Sequence, residues 1–211
     1  MIKLGIPRSL FYFYYYPGWQ RYFSSLGIKT VLSPITNKKI LDKGISLAVD
    51  DLCLPFKAYF GHIDWLINCG VDKIIIPRLL SFGKKDKFCP KFMGLPDMVV
   101  NIFTDKLPPI IEPVFDSNSG IFPFYRNAHR VGRRLGYNYI KREAAYWKAF
   151  QIQFRYNKLI KEGLRPDQLL KYYKNGVFNL EENKVRSKEK NLKILLLGHT
   201  YILGDEYLNM G

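Results

Sequence analysis

The stretch KIIIP at residues 73–77 decides the fold of this chain. Three consecutive isoleucines ended by a proline are typical of a short strand that is buried on both faces. A helical pattern over residues 51–68 precedes it, with apolar side chains on one face, and Gly70 is placed to end that helix. A helix that leads into an apolar strand indicates a parallel sheet covered by helices.

The same alternation of strands and helices extends outward from this stretch. Other short apolar stretches next to Gly or Pro predict further strands, at residues 2–6, 28–32, 45–49 and 108–115. The sequence therefore predicts an α/β fold, with a parallel Rossmann-like or flavodoxin-like sheet, flanking helices and an added helical segment. Residues 5–8 (GIPR) follow the first strand, but no G-x-G-x-x-G or Walker pattern is present, so no nucleotide site is predicted.

The pattern changes in the second half of the chain. Residues 121–178 are basic and predicted to be helical, residues 179–191 form a charged linker, and the apolar stretch at 192–197 predicts one more strand. We expect residues 1–120 to form an α/β lobe and residues 192–211 to be the start of a truncated second α/β lobe.

Composition excludes several classes of protein. The hydrophobic content of 47% excludes an intrinsically disordered chain, and three cysteines are too few for a secreted disulfide scaffold. No apolar run reaches the roughly 18 residues of a membrane span. The sequence therefore predicts a cytoplasmic protein that does not enter the membrane.

The charge leaves two functions open. The 211 residues include 33 Lys and Arg against 18 Asp and Glu, a net charge of +15. The densest cationic cluster consists of Arg126, Arg130, Arg133 and Arg134, on one predicted helix. This cluster is either a solvated helix face or part of a basic interaction module for an acidic partner or nucleic acid. No sequence signature of a nucleic-acid-binding fold is present, which disfavours nucleic acid.

Two of the three cysteines are predicted to lie at one edge of the sheet. Cys53 and Cys89 each follow a predicted strand, so both are placed at the carboxyl edge, where α/β folds bind ligands. Two thiols from neighbouring loops indicate a metal or cluster site, and unrelated buried cysteines are the alternative. Cys69 precedes a strand instead, and we expect a buried thiol there. His62 is expected to be a core or surface histidine and not a ligand.

Several short motifs occur in order along the chain, and together they resemble a known family. They are GIPR at 5–8, SPITNK at 33–38, CLPFK at 53–57, GH at 61–62, IPR at 76–78, CPKFMGLPD at 89–97 and LGHTY at 197–201. This set resembles the acyl-CoA dehydratase activase-related proteins. These are relatives of the 2-hydroxyacyl-CoA dehydratase subunits and of the domain fused to CoA-substrate-specific enzyme activases.

The resemblance implies a 4Fe–4S cluster held by three cysteines between two lobes. Cys53 and Cys89 match the cysteine positions of the family, Cys69 matches none, and the third ligand is expected in a second lobe. The implied chemistry is electron transfer from an ATP-driven activase to an iron–sulfur dehydratase, which removes water from a 2-hydroxyacyl-CoA. The implied partners are an activase ATPase or a dehydratase, with acyl-CoA. The sequence leaves open whether this chain is a dehydratase-like lyase or an electron-transfer protein.

Several residues beside the two cysteines are predicted to shape the site. Lys57, Lys91 and Arg78 are predicted to bind or position the cluster, and Asp51 has the same supporting role. Lys84, Lys85 and Lys87 precede Cys89 in the sequence, and with Lys91 they are predicted to stabilise an anionic group. No catalytic residue is assigned.

Overall fold

The computed structural model describes residues 2–81, 88–116, 123–174, 176–178 and 197–211. The strands in these ranges are β1 (Lys3–Ile6), β2 (Lys29–Leu32), β3 (Lys73–Ile75), β4 (Arg78–Ser81), β5 (Ile110–Ile111), β6 (Val114–Asp116), β7 (Tyr173–Lys174) and β8 (Val177–Phe178). The helices are α1 (Tyr12–Ser25), α2 (Lys38–Leu47), α3 (Leu54–Asn68), α4 (Pro90–Met93), α5 (Leu95–Phe103), α6 (Pro123–Arg134), α7 (Tyr139–Lys161), α8 (Pro166–Tyr172) and α9 (Thr200–Leu203). The predicted linker at 179–191 and all but the last residue of the predicted strand at 192–197 lie outside the described residues.

A four-stranded parallel sheet with the strand order β2-β1-β3-β5 confirms the predicted α/β fold. In its central strands, Gly5 of β1 is paired with Ile74 of β3. Ile74 and Ile76 pack into one hydrophobic core, and Ile75 packs into a second core on the other face of the sheet. Since successive side chains of a strand point to opposite faces, the KIIIP stretch needs helices on both sides.

Two prolines interrupt the neighbouring strands β3 and β5 without separating them. After Pro77 and Pro113 the chain continues as β4 and β6, which pair in parallel. The amide of Arg78 donates to the carbonyl oxygen of Pro113 at 3.0 Å, so the ladder resumes directly after the missing N–H groups. This extension carries Arg78 beyond the carboxyl edge of the four-stranded sheet.

The strand predicted at residues 45–49 is wrong, because α2 occupies most of this stretch. Asn37 caps the helix, its side-chain oxygen accepting from the amide of Ile40 at 3.2 Å. The β-branched residues that suggested a strand are exposed: Ile45 is 44% and Val49 is 72% accessible. Packing of α2 against α3 therefore outweighs the local strand propensity.

The contact between α2 and α3 depends on two glycines. A methyl group at Gly44 would overlap the carbonyl oxygen of Lys57, and one at Gly61 would overlap the carbonyl oxygen of Ile40. The two backbones therefore touch directly at this crossing, which holds α3 and its first turn against the sheet.

We expect Gly44→Ala and Gly61→Ala each to lower the free energy of unfolding by about 3 kcal/mol, because backbone atoms must move to admit a methyl group. Urea denaturation measures the effect. The matched control is Gly94→Ala, where the nearest atom is at an ordinary 3.6 Å and the effect should stay below about 1 kcal/mol. Equal losses for all three variants would contradict the close helix contact.

Pro17 lies inside α1 and fixes how α7 packs against it. The proline has no N–H, so the carbonyl oxygen of Phe13 loses its helical partner. The hydroxyl of Tyr156 in α7 donates to that oxygen at 2.7 Å. One residue later, the side-chain amide of Gln153 donates to the carbonyl oxygen of Tyr14 at 2.8 Å. The basic helix α7 thereby supplies hydrogen bonds at the proline of α1.

Candidate functional site

Cys53 and Cys89 occupy equivalent local structures. Each is the N-cap of a helix with a proline in its first turn, and each thiol is exposed. Each is also followed, three residues later, by a phenylalanine whose amide donates to the carbonyl oxygen of the cysteine. The distances are 3.0 Å for Phe56 to Cys53 and 2.9 Å for Phe92 to Cys89. The two C-x-x-F turns therefore present their cysteines in the same way.

Contact between the two phenylalanines joins these turns. The ring centroids of Phe56 and Phe92 are 4.9 Å apart, and Phe92 also packs against Phe11 at 5.2 Å. All three rings belong to the core on one face of the sheet. Since each ring is tied to its cysteine by a single turn, the core brings both cysteines to one place. We refer to Cys53, Cys89 and the side chains that position them as the cysteine site.

Lys57 and Lys91 bind the loop that precedes Cys53. The ammonium group of Lys57 donates to the carbonyl oxygen of Asp50 at 2.9 Å, and that of Lys91 donates to the carbonyl oxygen of Asp51 at 3.3 Å. Lys91 belongs to the Cys89 turn, so its hydrogen bond links the two cysteine-bearing segments directly. Both lysines therefore hold the backbone that leads into Cys53. Lys84, Lys85 and Lys87 lie outside the described residues.

Arg78 fastens the Cys89 segment to the sheet. Its guanidinium group donates to the carboxylate of Glu112 at 2.5 Å, to the carbonyl oxygen of Met93 at 2.7 Å, and to both oxygens of Asp97 at 2.7 and 2.9 Å. These bonds to Arg78 hold the pKa of the Asp97 carboxyl below its ordinary value. Arg78 therefore positions the end of α4 and the start of α5.

The expectation that Cys69 is buried is wrong. Cys69 is the C-cap of α3 and its thiol is exposed, with Asn68 and Gly70 on either side also exposed. Among the described residues, none covers this end of α3. The 15 residues of α3 span about 22 Å, which separates Cys69 from Cys53 at the other end.

Tyr201 and His199 lie beside the cysteine site, and sequence reasoning did not assign them a role. The Tyr201 ring packs edge-on against Phe92 at 6.0 Å, and the His199 ring stacks on Tyr201 at 5.0 Å. Burial, followed by the nearby Tyr14, Cys53 and Cys89 groups, raises the pKa of Tyr201 to about 12. The LGHTY motif was the sequence signal that could have directed attention to this tyrosine.

Asp205 anchors the C-terminal segment, residues 197–211, that carries Tyr201. Its carboxylate is only 4% exposed and accepts a short hydrogen bond from the hydroxyl of Thr36. The same carboxylate accepts from the amides of Tyr207 at 3.1 Å and Leu208 at 3.2 Å. Burial raises the pKa of the Asp205 carboxyl, so these donors are needed to keep it charged. The C-terminal segment is therefore attached to the sheet region by a buried polar group.

Residues 3–211 match the profile of a family described as the CoA enzyme activase uncharacterised domain. The chain belongs to this family. The match confirms the relationship to activase-related proteins that the ordered motifs indicated. The matched residues include both the cysteine site and the C-terminal segment. Comparison with curated proteins and with solved structures gave no significant match.

His62 lies in the core, one of the two positions, core or surface, that the sequence left open. It is fully buried, with Nδ1 2.9 Å from the hydroxyl of Ser33 and Nε2 3.0 Å from the hydroxyl of Thr36. The hydroxyl of Thr36 donates its only proton to the carboxylate of Asp205. The same hydroxyl must therefore accept a hydrogen bond from an N–H group at Nε2 of His62. Nδ1 then accepts from Ser33, which itself accepts from the amide of Arg8 at 2.7 Å. This network fixes the neutral Nε2–H tautomer of His62.

The buried neutral histidine makes stability depend on pH. Burial, and then the charge of Arg8, lower the pKa of His62 to about 3 in the fold, against an ordinary value of 6.5. Between pH 6.5 and 3 the unfolded chain binds the extra proton, so stability falls as the pH falls through this range.

We expect acidification from pH 7 to pH 4.5 to remove about 2–3 kcal/mol from the free energy of unfolding through His62 alone. In the His62→Gln variant, which titrates no proton there, the loss should be smaller by that amount. Urea denaturation of both proteins at the two pH values measures the difference. The same loss in both proteins would contradict a neutral, buried His62.

The donor set of the cysteine site matches part of a metal-binding site. Among the described residues, no group of three or more His, Cys, Asp or Glu side chains is placed to hold a metal ion. Cys53 and Cys89 supply two thiols of the type that ligates iron–sulfur clusters, which are usually held by four cysteines. These two residues fit a cluster whose other ligands come from elsewhere. None of the described helices is long and apolar enough to cross a membrane.

A separate apolar cavity of about 370 Å³ lies between α1, α6 and α7. It is lined mainly by aromatic side chains, including Trp19, Phe115 and Phe150. Gln153 also lines it, and its amide group is already bonded to the backbone of α1. The residues predicted for the cysteine site do not line this cavity, so the cavity is separate from the cysteine site.

Proposed function

We propose that the activase domain contributes two thiolate ligands, Cys53 and Cys89, to a 4Fe–4S cluster. The observation that carries this proposal is the pair of equivalent C-x-x-F turns, joined through Phe56 and Phe92, which present two exposed cysteines at one place. Such a cluster supplies one-electron transfer when bound, in a redox system related to the 2-hydroxyacyl-CoA dehydratases and their activases.

The groups around Cys53 and Cys89 create a positive potential at the proposed cluster site. Cys53 lies at the N-terminus of the 15-residue helix α3, where the helix dipole stabilises negative charge. The ammonium groups of Lys57 and Lys91, which bind the adjacent loop, add positive potential. Positive charge beside a cluster stabilises its reduced, more negative form and so raises its potential.

Completion of the cluster requires a second protein surface. Both thiols are exposed, and the described residues provide no third thiol beside them. An activase ATPase or a dehydratase subunit that docks on this edge would supply the missing ligand and exclude water. Acyl-CoA would then be the substrate of the assembled system.

Anaerobic reconstitution with ferrous iron and sulfide tests the proposal. Dithiothreitol in the reconstitution mixture supplies thiols for the ligand positions that a partner would fill. Under these conditions we expect the protein to take up iron and sulfide with the visible absorbance and EPR signal of a cluster, and Cys53→Ala or Cys89→Ala to reduce iron uptake several-fold. The matched control is Cys69→Ala, which removes an exposed thiol at the far end of α3 and should leave uptake unchanged. Full uptake by the Cys53→Ala, Cys89→Ala double variant would refute cluster ligation.

A second candidate function is binding of an acidic protein, favoured by the surface of α6 and α7. The basic residues Arg130, Arg133 and Arg134 are exposed on α6. Large apolar side chains are exposed on the neighbouring helix α7, with Trp147 51% and Phe154 63% accessible. Cationic and aromatic side chains together are typical of interaction surfaces.

We expect polyglutamate to bind this surface at low salt, with an affinity that falls steeply as salt rises because the contacts are electrostatic. Replacing Arg130, Arg133 and Arg134 with Gln should weaken binding by at least tenfold. Salt-dependent fluorescence titration measures both. Salt-independent binding, or preferential binding of single-stranded DNA, would contradict an acidic-protein surface.

A further inference from the structure

We propose that Tyr201 is the third member of the cysteine site, and that its hydroxyl donates a hydrogen bond to a sulfur atom held at Cys53 and Cys89. This inference rests on the proposed cluster function, and it assigns a role to the C-terminal segment. Tyr201 would be a positioning residue that stabilises negative charge on sulfur.

The packing of Tyr201 places it at the junction of the two cysteine-bearing turns. Its ring contacts Phe92 in a T-shaped arrangement at 6.0 Å, and Phe92 in turn contacts Phe56 at 4.9 Å. Phe92 and Phe56 are the residues bonded to the carbonyl oxygens of Cys89 and Cys53. Tyr201 therefore packs on the same aromatic pair that sets the positions of both cysteines.

The hydroxyl of Tyr201 belongs to a ring that packs on the Cys89 turn, against Phe92, which follows Cys89 by three residues. Among the described side chains and backbone groups, no hydrogen-bond partner of this hydroxyl is found. The phenol remains protonated at neutral pH, so it would donate to a thiolate or sulfide placed between the cysteines.

The C-terminal segment is held firmly enough to keep this position. Asp205, four residues after Tyr201, is bonded to Thr36 inside the protein. Thr36 is held by the fully buried His62. On the other side of the segment, Lys171 pairs with Glu206 at 2.6 Å, in an exposed salt bridge that adds little. The buried network is therefore what fixes Tyr201 beside Cys53 and Cys89.

The first experiment tests the geometry without iron or sulfide. In a Cys69→Ala background, Tyr201→Cys should place a third thiol beside Cys53 and Cys89. This variant should bind Co²⁺ at least tenfold more tightly than the Cys69→Ala protein, with stronger sulfur-to-cobalt absorbance. The matched control is Ile202→Cys, one residue along the same turn, which should bind Co²⁺ like the background protein. Equal Co²⁺ binding by the two variants would overturn the placement of Tyr201.

The second experiment tests the hydrogen bond in the reconstituted protein. Tyr201→Phe keeps the ring but removes the donor, so the midpoint potential of the cluster should shift to a more negative value. Tyr207→Phe, an exposed tyrosine of the same segment, should leave the potential unchanged. A cluster with the same potential in wild type and Tyr201→Phe would overturn the hydrogen bond while leaving cluster ligation intact. If the wild type forms no cluster, the proposed function fails, and the Co²⁺ experiment still decides where Tyr201 lies.

Discussion

Ile74, Ile75 and Ile76 bury successive side chains in two separate cores, one on each face of the sheet. A strand of this kind needs helices on both faces, and helical crossovers make neighbouring strands parallel. Parallel strands end at the same edge, so the loops that follow them converge there. The position of the cysteine site is a consequence of this one requirement for burial.

At that edge, contacts within each turn set the local conformation of the cysteines, and contacts between the turns set their relative position. The C-x-x-F turns are local: each cysteine carbonyl accepts from an amide three residues later, and proline begins each helix. The contact between Phe56 and Phe92 is long-range and sets the two turns beside each other. Arg78 then ties the second turn to the sheet through Met93 and Asp97. Packing of Phe92 and the hydrogen bonds of Arg78 therefore hold the same short segment, residues 89–97.

The polar network from Arg8 to Asp205 serves a different purpose. It passes through Ser33, His62 and Thr36, all of which are buried, and every step has a defined donor and acceptor. A buried network of this type is stable only when each member is satisfied, so it specifies one placement of the C-terminal segment. The positive charge has little part in this, since nine of the seventeen exposed Lys and Arg side chains among the described residues lie on α6 and α7.

The sequence by itself determined the features that repeat over a few residues. The apolar run at 73–77 predicted the parallel sheet, and the helical period predicted α3 and the basic helical segment that contains α6 and α7. The strand expected before Cys53, at residues 45–49, is replaced by α2, so the reasoning that placed Cys53 directly after a strand does not hold. The family relationship was readable from short ordered motifs.

Only the tertiary structure decided the features that depend on distant partners. Ile45 and Val49 have strand propensity, yet the approach of α2 to α3 at Gly44 makes the stretch around Ile45 helical. Cys69 is exposed because none of the described residues covers the end of α3. Tyr201 packs against Phe92 across more than a hundred residues of sequence, and the hydrogen bond between Thr36 and Asp205 holds its segment there. Such contacts leave no periodic signal, because they arise from how separate elements pack and not from the spacing of residues within one.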